Sequence, residues 1–387
     1  MQLSVIILNY NVRYFLEQCV LSVQSAISTL DAEIIVVDNN SSDESCLMMK
    51  TKFPEVKLIQ NTANFGFPKG NNIGVEQASG KYICILNPDT VVAENTFVKI
   101  LAFAERQINS GIIGCQLIDG TGEFLPESKR GIPTPWVAFT KISGLYKVFP
   151  KWKIFNQYYA QHLDKDQTGK VDILVGAFMF LERELYKELE GFDEKCFMYA
   201  DDIDLSYRAL QKKKSNYYFH ETTVLHYKGE STVKDEKYMK HFQEAMDFFY
   251  QKHFKKSWFF EFFIQIGIWF FSFIKMFQGK TKPKPLPESV VFYSSNKNLS
   301  EKLPSILKNK VLFIDLKKEK MVNSSLIFKG KSVEIILDNQ YVSFKKCIKI
   351  IKTLKDKNVT FKIFPKNTNF IIGSNSRNDR GQIIKIE

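Results

Sequence analysis

The sequence has little of what a disulfide scaffold or a cysteine–histidine metal site requires. Six cysteines and five histidines occur in 387 residues. Cys19, Cys46, Cys84, Cys115, Cys196 and Cys347 form no C-x-x-C pair and have no histidine at ligand spacing. No disulfide framework is implied, and the pattern suits thiols kept reduced in a cytosol. Also missing is a basic stretch, apolar core and cleavage site at the amino terminus. The chain opens directly into the strand-like run Leu3 to Leu8, so no secretory signal is expected and the first part of the chain should stay on the cytoplasmic side. No duplex-reading motif accompanies the net charge of +12, which argues against a nucleic-acid partner.

That charge is unevenly spread. Residues 1–278 carry 31 Lys and Arg against 33 Asp and Glu, whereas residues 279–387 carry 23 against 9. A basic tail behind an apolar segment suits attraction to anionic lipid headgroups, with a merely solvated Lys-rich surface as the alternative. With 44% hydrophobic residues the chain can bury a sizeable core, and its length suits two folded units and a connector.

Apolar runs alternate with helix-like stretches from the start. Ser4 to Leu8, Glu33 to Val37, Val56 to Gln60 and Tyr82 to Leu86 read as strands, with helices over Arg13 to Leu30 and Lys69 to Ala78. The pattern predicts an α/β fold with a mainly parallel sheet covered on both faces, a nucleotide-binding architecture by default. In such sheets ligands lie beyond the carboxyl ends of the strands. Here those ends are polar: Asn9-Tyr10-Asn11, Asp38 to Asp43, and Asn87-Pro88-Asp89. Residues 111–185 read as acceptor-side loops with a strand at Val171 to Leu181.

Residues 257–277 are the most hydrophobic segment, yet Glu261, Gln265, Ser272 and Lys275 fall on a narrow arc at 100° per residue. With Trp258, Trp269 and flanking lysines, this suits a helix lying in a membrane interface; a spanning helix and a helix packed in a soluble core are the alternatives. A Lys/Pro linker follows. Beyond it, Val290 to Tyr293, Val311 to Leu316, Val333 to Leu337, Val359 to Phe364 and Phe370 to Ile372 predict a small Rossmann-like α/β domain, with a helix over Tyr341 to Lys357. The expected division is 1–254, 255–279, 280–288 and 289–387.

Three clusters carry candidate chemistry. Pro88 breaks the strand before it, so Asn87 and Asp89 project from its end; Asp89 there could hold Mg²⁺ or Mn²⁺ against a diphosphate, or the three residues could simply make a turn. Asp201, Asp202 and Asp204 crowd the head of one helix. Ionising all three together is costly, so one could serve as a base, although acids also favour helix amino termini and Asp204 stands four residues before Arg208. His226 follows an apolar strand and precedes Gly229, and a neutral imidazole there could complete a metal site begun by Asp89.

With these residues in place, the chain resembles family 2 glycosyltransferases of the GT-A fold, most closely the rhamnosyltransferase-like members that build bacterial surface polysaccharides. The likeness covers about residues 1–250 through Ser4 to Asn11, Val36 to Asp43, Asn64 to Gly74, Leu86 to Asp89, Gly176 to Met179 and the acidic and His clusters. It implies that Asn9, Asn11 and Asp38, with Asn40 beside them, meet the nucleoside, and that Asn64, Gly66 and Asn71 lie along the nucleotide and its phosphates. Asp89 would bind a divalent metal with His226, Asn87 standing where many relatives carry the first Asp of a D-x-D motif. Asp202 matches the catalytic base, preceded by Asp201. The implied activity is inverting, metal-dependent transfer of rhamnose or another hexose from a nucleotide diphosphate sugar to a saccharide hydroxyl. The implied acceptor is polyprenyl-linked, at the cytoplasmic face of the plasma membrane, with the protein peripheral or monotopic. A nucleotidyltransferase and a non-catalytic nucleotide-sugar-binding membrane scaffold are the alternatives. The tail is faintly similar, at Phe370 to Ser376, to the nucleotide-binding-like half of membrane sugar-phosphate transferases.

Overall fold

Two-sided burial makes strands of the first apolar runs. The computed structural model describes residues 1–149, 152, 154–228, 236–254, 287–318, 332–376 and 380–386. In β1 (Leu3–Asn9), Leu3, Val5 and Ile7 enter the core on one face of the sheet, and Ile6 and Leu8 enter the core on the other. The same alternation recurs in β2 (Ala32–Asp38) and β4 (Tyr82–Leu86), which is why these runs are continuously apolar in sequence. On the first face, Leu16, Cys19, Val20 and Val23 of α1 (Arg13–Ile27) recur at spacings of three and four and cover the sheet. Also on this face are Met48 and Met49 of α2 (Ser45–Lys52) and Phe97, Ile100 and Leu101 of α4 (Thr96–Ala104). The opposite face takes α3 (Gly66–Glu76), α7 (Arg183–Glu188) and α8 (Asp201–Gln211) through Val75, Leu185 and Leu205.

The remaining strands of this sheet are β3 (Lys57–Gln60), β5 (Thr90–Val91), β6 (Ser110–Ile118), β7 (Gly169–Lys170), β8 (Phe178–Glu182) and β9 (Ser215–His226). Their order is β3-β2-β1-β4-β8-β6-β9-β5, with β7 paired to β9. The first four strands are parallel, as expected; the other half is mixed, with β8 antiparallel to both β4 and β6. The stretch Val171–Leu181 forms a strand only from Phe178, because the amides of Val171 and Ile173 bond instead to the carbonyls of Asn216 and Arg130. Two shorter helices, α5 (Pro135–Ile142) and α6 (Leu145–Val148), lie between β6 and β7, and α9 (Glu236–His253) follows β9.

A second sheet contains β10 (Ser289–Ser294), β11 (Val311–Asp315), β12 (Val333–Asp338), β13 (Val359–Phe364), β14 (Phe370–Gly373) and β15 (Gln382–Lys385). Its order is β11-β10-β12-β13-β14-β15, parallel over the first four and antiparallel at the last two. The helices α10 (Lys297–Leu307) and α11 (Phe344–Thr353) belong to it. The helix expected over Tyr341 to Lys357 starts three residues late because Ser343 caps it, its hydroxyl accepting from Lys346 N. The apolar segment 257–277 lies outside the described residues, as does nearly all of the linker. Among the described residues no helix is long and apolar enough to cross a membrane.

The two sheets share one apolar cluster. Val12, Phe15, Val91, Leu225 and Tyr227 from the first pack with Val291, Leu337, Phe344 and Phe370 from the second. Glu94 reinforces this contact, its two carboxylate oxygens accepting from the amides of Phe344 (2.7 Å) and Lys345 (2.8 Å) at the start of α11. A carboxylate there meets orphan N–H groups and the positive end of the helix dipole. Glu94→Ala should therefore cost about 1–2 kcal/mol, read as a lowered urea midpoint with loss of amide-exchange protection at Phe344 and Lys345.

Candidate active site

The carboxyl ends of β1, β2 and β4 meet at one rim. Asn9 donates to Asp38 Oδ2 (2.7 Å) and to Ser41 Oγ (3.0 Å), while Asp38 Oδ1 accepts from Ser41 N (2.8 Å). Asn11 Oδ1 accepts from Ser42 N at 2.8 Å. Asn11 and Asn40 both hold positive φ (55° and 62°), a conformation that asparagine tolerates better than most residues. Asn9, Asn11 and Asp38 thus clamp two loops together. Asn9 and Asp38 are buried, Asn11 and Asn40 are not, and none of them lines the central cleft.

That cleft encloses about 220 Å³. It brings together Asn64 and Gly66 at the start of α3, Asn87 and Pro88 after β4, Asp201 and Asp202 at the head of α8, and His226 at the end of β9. Asn39, not singled out from the sequence, ties the end of β2 to the first of these parts: its Nδ2 donates to Asn64 Oδ1 (3.2 Å) and to Gly66 O (3.1 Å). Gly66 has φ +80°, and a Cβ there would stand 2.7 Å from both the carbonyl and the ring of Phe197. Gly66→Ala should cost about 1–3 kcal/mol and distort the cleft wall, seen as a lower melting temperature together with weaker donor binding. Asn71 sits instead inside α3, fully buried and donating to Phe67 O at 2.9 Å.

Asn87-Pro88-Asp89 is both a turn and part of the site. Thr90 Oγ1 donates to Asn87 O (2.7 Å), Tyr227 N donates to Asp89 O (3.0 Å), and the register of β5 sets Thr90 opposite His226. This brings Asp89 Oδ1 to 3.3 Å from His226 Nε2, with Asn87 Nδ2 3.5 Å from the same nitrogen. Asp89 Oδ1 and His226 Nδ1 are buried and have no hydrogen-bond partner among the described residues. A buried carboxylate oxygen left over beside an imidazole fits a divalent cation that takes oxygen and nitrogen donors. No group of three or more His, Cys, Asp or Glu suited to a metal occurs among the described residues, so phosphate oxygens or water would have to fill the other positions.

The three acids of α8 separate into different roles. Asp204 is consumed by structure: Arg208 (2.7 Å), Lys252 (2.9 Å) and His253 (2.6 Å) surround it. Burial pushes its carboxyl up, but these three partners prevail and bring it down to about 2. Asp202 Oδ2 accepts from Arg130 Nη2 (2.6 Å) and Gly176 N (3.0 Å), while its Oδ1 is buried without a partner among the described residues. Asp201 is pushed up to about 7, first by burial and then by the charge of Asp202. Arg130 escapes sequence reasoning because it lies in the loosely patterned stretch far from any motif; its one mark is being a cation in a run that lacks acids.

A cleft at the carboxyl rim of parallel strands, with two adjoining carboxylates in different environments, is the ligand site of an open α/β sheet. Residues 4–190 match the model of Glycosyl transferase family 2, and that part of the chain is a family 2 glycosyltransferase domain. The chain is 25% identical over 247 residues to the N-acetylglucosaminyl-diphospho-decaprenol L-rhamnosyltransferase of Mycobacterium tuberculosis, covering 60% of this chain and 78% of that one. It is 27% identical over 215 residues to the low-salt glycan biosynthesis hexosyltransferase Agl10 of Haloferax volcanii, covering 54% and 62%. Among solved structures, the mannosyltransferase PcManGT of Pyrobaculum calidifontis, in complex with GDP-Man and Mn²⁺, aligns with 64% of each chain at 18% identity and a TM-score of 0.42.

Proposed function

We propose that this protein transfers a hexosyl group, with inversion, from a nucleoside diphosphate sugar to a hydroxyl of a lipid-linked saccharide. The observation that carries this reading is Asp202, which lines the cleft: one oxygen is anchored by Arg130 and Gly176, and the other is buried with no hydrogen-bond partner among the described residues. In the step envisaged, Asp202 Oδ1 takes the proton of the acceptor hydroxyl. The acceptor oxygen bonds to the anomeric carbon as the bond to the diphosphate oxygen breaks and the nucleoside diphosphate leaves. Arg130 keeps the carboxylate aimed, and Asn64 and Gly66 contribute polar backbone and side-chain atoms along the donor. A divalent cation held by Asp89 and His226 would supply Lewis-acid stabilisation for charge on the diphosphate.

The decaprenol in the mycobacterial relative's name supports a polyprenyl-linked acceptor and a place in envelope polysaccharide synthesis. The basic tail and apolar segment support a position at the cytoplasmic face of the membrane. The test is a screen of nucleotide sugars for binding and diphosphate release with and without Mn²⁺. Metal-dependent release with a saccharide acceptor present is expected; binding without release in every case would leave a non-catalytic binding protein.

A further inference from the structure

Between Glu127 and Asp164 the sequence contains no acidic residue. This stretch carries α5 and α6, and it exposes large apolar side chains to an unusual degree: Val148 is 67% exposed, Trp152 61% and Ile154 52%, with Trp136 and Phe149 partly out. They are not scattered. Phe155 stacks within 5.9 Å of Trp136 and 5.3 Å of Phe149, and Phe149 lies 5.6 Å from Trp152, so the rings form one continuous patch. Trp136 Nε1 donates to Ile154 O (2.9 Å), tying α5 to the far end of the patch. Lys141 and Lys147 stand beside it over the rings of Tyr158 (3.7 Å) and Tyr146 (5.8 Å).

Contiguous exposed apolar surface on a folded domain marks an interaction site. Tryptophan, tyrosine and lysine together, with no acid to repel an anionic surface, are the chemistry of a membrane interface. The location agrees. The patch begins a few residues beyond Arg130, which grips Asp202, and Pro133 between them accepts from Tyr250 OH of α9 at 2.8 Å. We propose that Trp136, Val148, Phe149, Trp152 and Ile154 dock on an anionic lipid surface and hold the acceptor side of the cleft against the bilayer. This contact is separate from the apolar segment 257–277. It deepens the reading of the acceptor as lipid-linked, and rests on that reading for its purpose.

Full-length protein should partition onto phosphatidylcholine vesicles containing about one third phosphatidylglycerol, and far less onto pure phosphatidylcholine. Combining Val148→Ser with Trp152→Ser should weaken that partition roughly tenfold or more without moving the melting temperature, because both side chains are exposed. As a second measurement, a protein keeping Trp152 alone (Trp136→Phe, Trp258→Phe, Trp269→Phe) should be quenched by brominated lipid. Unchanged partition of the double variant, or an unquenched Trp152, would overturn the proposal. So would a changed sedimentation coefficient with unchanged vesicle binding, which would assign the patch to a second copy of the chain. Neither vesicle assay contains donor or acceptor, so failure here leaves the proposed glycosyl transfer standing.

Discussion

Asp202→Asn should lower turnover by roughly 10²–10⁴-fold while leaving donor affinity nearly unchanged. The substitution keeps the shape and keeps an oxygen able to accept from Gly176 N and Arg130. What it removes is the unpartnered Oδ1, replacing a proton acceptor with an amide that cannot take a proton. One side effect is foreseeable. Arg130 is mostly buried against this carboxylate, and a guanidinium left without its counter-charge destabilises a fold by about 3–5 kcal/mol. Thermal melting and donor titration therefore belong beside the rate measurement, so that lost turnover is seen in folded, donor-binding protein. If Asp202→Asn kept more than about a tenth of the activity and Asp201→Asn fell through the 10²–10⁴ range instead, the base would be Asp201.

The strands and polar rim of the first hundred residues were legible because two-sided burial writes itself as uninterrupted apolar sequence, and because Pro88 and the asparagine loops punctuate it. The second half of the sheet was legible only in pieces. β9 runs Ser215–His226 and reads as an apolar strand only just before His226, and β5 is two residues long; the rest of β9 and all of β5 have no period to detect and exist because of pairing to distant partners. The same holds within the site. Asp89, Asp202 and His226 stand in recognisable local patterns, and the fold brings Asp89 to the other two from more than a hundred residues away. Asn9, Asn11 and Asp38 also stand in such patterns, and their side chains bond to the loop that holds Ser41 and Ser42. Which polar atom at a strand end turns toward a neighbouring loop depends on backbone angles such as the left-handed Asn11 and Asn40, and those depend on the packed loops. Arg130, whose backbone bridges to Ile173 and whose guanidinium reaches Asp202, had no local pattern at all.

Asp201 should make folding stability fall as pH rises from about 4 to about 7, and Asp201→Asn should abolish that fall. An exposed aspartate releases its proton near pH 4, whereas in the folded protein burial and the adjoining Asp202 hold the proton on Asp201 until about pH 7. Between these values the folded state binds more protons than the unfolded state, so each step up in pH favours unfolding. The sign is opposite to that of Asp204, whose carboxyl is depressed by Arg208, Lys252 and His253 and whose contribution is present at neutral pH and lost on acidification. Asparagine at 201 carries no titrating group. Relative to the parent, Asp201→Asn should gain nothing near pH 4 and progressively more up to pH 8, with a ceiling of roughly 4 kcal/mol from a displacement of this size. Urea unfolding of both proteins at pH 5 and pH 8, without donor or metal, reads this directly. A stability difference that stays constant across that interval would mean that Asp201 ionises in the folded protein as freely as it does in the unfolded chain.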